Sequence, residues 1–170
     1  MSVMDAFSEI KCYIDNDNVS MLEYIFDTYN ININEKISFE DNYVLVVLRD
    51  NEIPPLCYAA LNRKIKSVKF LLEKGANPNV KINVKYESMV PLLHVIMESF
   101  EFITYVPQYY KKENIPSYKM ELIKLFIDYD VDILKNDNSN GKTLFDFLTN
   151  TEKKEIEIYM SINIKPAKRD

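Results

Sequence analysis

Pro54-Pro55-Leu56-Cys57-Tyr58-Ala59-Ala60, followed fourteen residues on by Lys74-Gly75-Ala76-Asn77-Pro78-Asn79, is the stretch from which the fold is read. Proline at 55 suits the first turn of a helix, where its missing N–H costs nothing. Gly75 suits a helix end, because a terminating residue often turns left-handed and glycine does so without steric penalty. Glycine is scarce here, with 2 in 170 residues, so its placement carries information.

The chain around this stretch has 47% hydrophobic residues, including 9 Phe and 12 Tyr, enough to bury a core in a single domain. Its 21 basic and 26 acidic residues leave a net charge of −5, which opposes nonspecific attraction to nucleic acid or anionic lipid and favours a basic partner. No apolar run approaches the roughly 18 residues that span a bilayer, and Met1-Ser2-Val3-Met4-Asp5 has no basic leader, so a cytoplasmic location is expected. Cys12 and Cys57 are expected to be small buried hydrophobes rather than a disulfide.

Residue by residue, the quoted stretch resembles an ankyrin repeat. Pro55 and Leu56 stand in its Thr-Pro-Leu-His turn, Ala59 and Ala60 match its small helix-packing pair, and Val68, Phe70, Leu71 and Leu72 match the stripe of its second helix. The resemblance implies paired antiparallel helices with projecting hairpins, stacked because one unit cannot bury its own apolar face. Two family features are missing: Pro54 replaces the threonine, and Arg63-Lys64 replace the Gly-His pair between the helices.

Aligning further second helices on Gly75 places Asn30 after Leu22-Glu23-Tyr24-Ile25-Phe26 and Asp130 after Leu122-Ile123-Lys124-Leu125-Phe126-Ile127. Asn tolerates the left-handed cap better than most residues. Asn140-Gly141-Lys142-Thr143-Leu144 opens a last unit. The expected fold is all-α, an ankyrin-repeat α-solenoid of about four helix pairs with one or two β-hairpin fingers and an inserted loop.

The expected boundaries are a single domain over 1–164, with units at 3–34, 54–79, 90–134 and 140–162, an insert at 99–117 and a tail at 165–170. Expected helices run from Met4 to Ile14, Val19 to Tyr29, Pro55 to Asn62, Ile65 to Lys74, Pro91 to Glu98, Tyr118 to Tyr129, Thr143 to Thr149 and Glu152 to Tyr159. Leu56 to Leu92 is a step of 36 residues and Leu92 to Leu144 one of 52, against a family period of about 33, which locates the insert in unit three. Prolines at 107 and 116 oppose one continuous helix there, so an ordered loop is expected.

Two β-prone segments read as fingers. Ile37-Ser38-Phe39, a turn at Glu40-Asp41-Asn42 and Tyr43 to Leu48 form an enlarged first hairpin, and alternation over Val80 to Tyr86 marks its neighbour. The third unit matches in two registers, on Pro91 or one residue later on His94.

Catalytic chemistry has little to work with. His94 is the only histidine, and in the family a histidine near this point makes structural hydrogen bonds, the reading preferred over a Cys57-His94 nucleophile pair. Two glycines exclude a phosphate-cradling loop. Asp130-Val131-Asp132 lacks the glycine and bidentate glutamate of a calcium loop and is read as capping. Lys111-Lys112 and the basic tail are read as solvated surface. No enzyme activity, catalytic residue, metal or cofactor is expected.

The resemblance implies protein recognition through finger tips and exposed first-helix positions: Phe39, Glu40, Asp41, Tyr43, Tyr58, Asn62, Tyr86, Glu87 and Glu98. Phe102, Tyr105 and Tyr109 of the insert are added because they lie outside the repeat pattern and Tyr is enriched at binding hot spots. Size and acidity further resemble the ankyrin-type immunity proteins of bacterial toxin systems, including contact-dependent growth inhibition. That resemblance implies a monomer forming a heterodimer with a basic toxin domain, without nucleic acid or membrane as partner. The alternative is a viral or intracellular-pathogen effector or adaptor that binds host proteins.

Overall fold

The computed structural model describes residues 3–38, 48–50, 52–84, 87–103, 115–134 and 141–163, arranged in two compact units, Met1–Leu92 and Leu93–Asp170. In the first unit α1 (Val3–Asp15) and α2 (Val19–Tyr29) precede β1 (Ile37–Ser38) and β2 (Glu52–Ile53). Then follow α3 (Pro55–Leu61), α4 (Ile65–Glu73), β3 (Lys81–Val84) and β4 (Glu87–Pro91).

Each helix is shaped by the apolar stripe it must bury. Ala6, Ile10 and Ile14 line one face of α1 at i, i+4 spacing, and Leu22, Ile25 and Phe26 line α2. Helix α3 is different: all seven of its residues are buried, and Ala59 and Ala60 let neighbours approach closely. Phe26 of α2 meets Phe70 of α4 in a tilted ring contact at 6.5 Å. Each fully buried Leu or Ile contributes roughly 1.5–3 kcal/mol, which these short helices need because helices below about 12–15 residues are marginal alone.

The chain reverses between helices by one recurring device. Asp17 and Arg63 adopt positive φ, 50° and 60°, between the helices of the first and second pairs. The following N–H reaches back in both, Asn18 to the Tyr13 carbonyl at 2.8 Å and Lys64 to that of Ala59 at 2.9 Å. After the second helices Asn30 and Gly75 are left-handed at φ 47° and 90°. Ile31 N–H then bonds the Phe26 carbonyl at 3.3 Å, and Ala76 N–H that of Leu71 at 2.9 Å. An Asx turn follows in each, Asn32 accepting from Asn34 N–H and Asn77 from Asn79 N–H, both at 3.0 Å.

Polar bonds stitch the two pairs together. Asp17 Oδ1 accepts from both the N–H and the hydroxyl of buried Ser67 at 2.7 Å, capping the first turn of α4. Asn34 Oδ1 accepts from Asn77 N–H at 2.8 Å, joining the two Asx turns.

The second unit holds α5 (Leu92–Ile103, which begins at the last residue of the first), α6 (Ile115–Asp128), a 3-10 turn at Leu144–Phe147 and α7 (Asn150–Asn163). The device returns after α6, where Asp130 has φ 64° and Val131 N–H bonds the Phe126 carbonyl at 3.2 Å. Asp132 then accepts from Leu134 N–H at 2.9 Å. Helix α7 buries only Ile156 and is held to α6 by polar contacts instead. Lys119 Nζ lies 3.2 Å from Glu152, and the Tyr159 hydroxyl donates to Asp128 at 2.6 Å.

Several boundaries differ from expectation. Helix α5 continues five residues into the expected insert, ending at Ile103, and α6 starts at Ile115 with Pro116 in its first turn, where proline is tolerated. The remaining insert residues, 104–114, lie outside the described residues. The first helix of the last unit is a four-residue 3-10 turn, fastened by Asp146 accepting from the Thr143 N–H at 2.7 Å. Helix α7 starts earlier because Thr149 and Glu152 form a reciprocal cap, Thr149 N–H to Glu152 at 2.7 Å and Glu152 N–H to the Thr149 hydroxyl at 3.3 Å.

Gly75 has open space where a Cβ would stand, so its substitution isolates backbone strain. Gly75→Ala is expected to cost about 1–2 kcal/mol in urea unfolding, and Gly75→Asn clearly less. Glu152 supplies a pH test. Burial raises its pKa, but the bonds from Thr149 and the Lys119 ammonium outweigh this and hold it below the usual glutamate value. Its contribution is therefore present above about pH 4.3 and is lost as pH falls through the lower folded value. Glu152→Gln is expected to lose about 1 kcal/mol at neutral pH, with the gap to the parent closing in acid.

Candidate protein-binding surface

The fingers grow from apolar feet. β1 and β2 pair antiparallel with Ile37 opposite Ile53 and Ser38 opposite Glu52, and both isoleucines are buried. β3 and β4 pair with Ile82 opposite Val90, and the register shifts between Ile82 and Val84. Leu48 forms an isolated antiparallel bridge with Val84 of β3. The expected pairing of Ile37–Ser38 with the segment ending at Leu48 is not the described one: their partner is Glu52–Ile53, immediately before α3.

Asn83 organises the irregular strand. Its carbonyl accepts from Arg49 N–H at 2.9 Å, its amide donates to Asp50 at 2.9 Å, and its Oδ1 accepts from Met89 N–H at 3.0 Å. Met89 has φ 59°, a conformation rare for a long side chain, and is 60% exposed. Sequence reading missed both residues. The available signal was an amide placed in the middle of an alternating strand, where only a bulge gives it backbone partners.

Of the expected contact residues, Phe39, Glu40, Asp41, Tyr43, Tyr86, Tyr105 and Tyr109 lie outside the described residues. Glu87 lies on β4, and Glu98 and Phe102 on α5. Tyr58 corrects the expectation of an exposed first-helix position: it is 0% exposed, and its hydroxyl donates to Asp15 at 2.8 Å. Asn62, half-buried, donates its side-chain amide to the Tyr58 carbonyl at 2.9 Å and so closes α3. Tyr58 thus ties the second helix pair to the first, and Asn62 acts within α3.

The groups considered for chemistry have structural surroundings. His94 is 1% exposed and packs against Phe147 with ring centroids 6.0 Å apart. It is the third residue of α5, as Cys57 is of α3, which favours the register matched on His94. Both cysteines are free; Cys57 is buried and its thiol is pushed upward by desolvation, whereas Cys12 is exposed, contrary to expectation, because it lies on the outer side of α1. Among the described residues no group of three or more His, Cys, Asp or Glu is placed to hold a metal ion. No described helix is long and apolar enough to cross a membrane.

Residues 51–83 match the family model described as Ankyrin repeat, which covers α3, α4 and most of β3. That segment is therefore similar to an ankyrin repeat, and the closures after α2 and α6 follow the same local pattern as the one after α4. Among solved structures, the crystal structure of the human ASB11 ankyrin repeat domain is similar at 19% identity with a TM-score of 0.48. The match covers 92% of this chain and 53% of that one, so the chain spans about half of its length. No curated protein matches the sequence.

Tyr58→Phe separates a structural from a contact role. Losing the bond to Asp15 is expected to lower stability by about 1 kcal/mol in thermal or urea unfolding. An unchanged midpoint would show that the hydroxyl bond contributes nothing to the fold.

Proposed function

We propose that this chain is a noncatalytic protein-recognition module whose fingers form a contact surface, and in its sharper form an immunity protein. In that form it acts as a monomer that binds a basic toxin domain, forms a heterodimer and blocks the toxin's active site. The observation that carries recognition is the ankyrin repeat with its second finger, where Met89 is both exposed and left-handed. Ankyrin repeats generally serve as binding scaffolds, and backbone strain persists where the surroundings over-determine it, often at ligand contacts. The toxin partner is supported by acidity alone: a net charge of −5 suits a surface that must attract nucleic acid, the usual property of a nuclease cleft.

Pull-down with the purified chain, followed by a nuclease assay on the co-purifying protein, tests the reading. A basic domain whose activity the chain abolishes is expected; recovery of other proteins without inhibition would remove the immunity role. With that partner in hand, reversing Glu40 and Asp41 to Lys is expected to slow association several-fold at low salt and little at high salt. An unchanged rate would take the first finger out of the interface.

A further inference from the structure

The hairpin of β3 and β4 is out of step at one place. Ile82 faces Val90 and Val84 faces Glu87, so between these pairs β3 has Asn83 alone while β4 has Ser88 and Met89. Two residues against one is a β-bulge, which redirects a side chain and takes backbone groups out of the ladder. Here the Asn83 side chain takes over one of them, its Oδ1 accepting from Met89 N–H at 3.0 Å. Met89 is left-handed, at φ 59°, and 60% exposed, whereas Val90 beside it is 2% exposed. A long side chain avoids the left-handed region, so Met89 stays there only while its surroundings hold it.

The other end of the same amide is engaged toward residues 48–50, which lie along the opposite edge of β3 through the Leu48–Val84 bridge. Asn83 Nδ2 donates to the half-buried Asp50 carboxylate at 2.9 and 3.3 Å, and the Asn83 carbonyl accepts from Arg49 N–H at 2.9 Å. The partners fix the orientation of the amide, because an N–H can only donate and a carboxylate only accept. Each bond therefore aims the group that makes the other.

We propose that Asn83 is a conformational latch through which Asp50 controls the outward presentation of Met89. While the carboxylate holds the amide, Oδ1 stays aimed at the Met89 N–H and the bulge keeps one conformation. A cation or a substitution that withdraws Asp50 frees the amide to turn, and the bulge relaxes although nothing has touched Met89. Bonds in such a chain support one another, and losing one leaves a polar group of the next unpaired. On the recognition reading the latch ties a contact residue of the second finger to the segment leading into β2. It is a property of the fold whether or not that reading holds.

Hydrogen–deuterium exchange of the full chain, followed amide by amide by NMR, tests the latch without any partner. Asn83→Ala removes both side-chain bonds and is expected to speed exchange at Met89 about tenfold. Asp50→Ala leaves the acceptor of Met89 N–H in place, yet exchange there is expected to rise about threefold. Asp50→Asn, whose amide oxygen still accepts from Asn83, should stay near the parent. Asn83→Asp sets two carboxylates side by side and should be the fastest variant. Combining it with Asp50→Asn swaps the roles: the carboxylate at position 83 accepts from both Met89 N–H and the amide at position 50, and protection should return to within about twofold of the parent. Exchange at Ala76, whose N–H bonds the Leu71 carbonyl in the closure of α4, should not move in any variant. Unchanged exchange at Met89 in Asp50→Ala, or no rescue by the swap, would overturn the latch. Acceleration of Met89 and Ala76 by the same factor would overturn it too, since that marks a loss of overall stability. Neither failure touches recognition by the fingers, which the pull-down decides.

Discussion

The left-handed residue that ends five of the described helices, with the following N–H reaching back to a carbonyl five residues earlier, is the constraint on which the structure depends. It recurs at Asp17, Asn30, Arg63, Gly75 and Asp130. Without it the chain could not reverse within two or three residues, and the apolar stripes of consecutive helices would not face each other. Four of the five positions are not glycine, and a left-handed L-residue costs about 1–2 kcal/mol. The burial that closure permits offsets this: Leu22, Ile25, Val68, Leu71 and Phe126 are all 0% exposed.

Much of this was legible because closure is local. Asn30 and Asp130 were placed at the cap by alignment with Gly75, and the limits of α2 and α4 follow from it nearly to the residue. Arg63 was less legible: it reads as a lost glycine, yet it takes the left-handed conformation itself. The insert was misjudged at its edges, since nothing from Ser99 to Ile103 breaks a helix and the first proline comes at 107. Pairing of β1 was decided by the nonlocal proximity of Glu52–Ile53, whereas the sequence shows only the stronger β propensity of Tyr43 to Leu48.

For the binding surface, types of residue were legible and their exposure was not. Tyr58 was assigned outward by analogy with first-helix positions, but α3 is so short and so closely covered that none of its sides faces solvent. Asn83 and Met89 went unnoticed because a bulge is a property of two strands together.

Asp17 sits in the turn of one helix pair and caps the second helix of the next. Traction applied near Met1 would meet this bond, and the one from Lys64 to the Asp15 carbonyl, before either pair could separate. Peeling away the first pair strips the cap from α4, so resistance is shared across both pairs. The four helices of these two pairs should behave under load as one stiff element, yielding in a single step rather than one helix at a time.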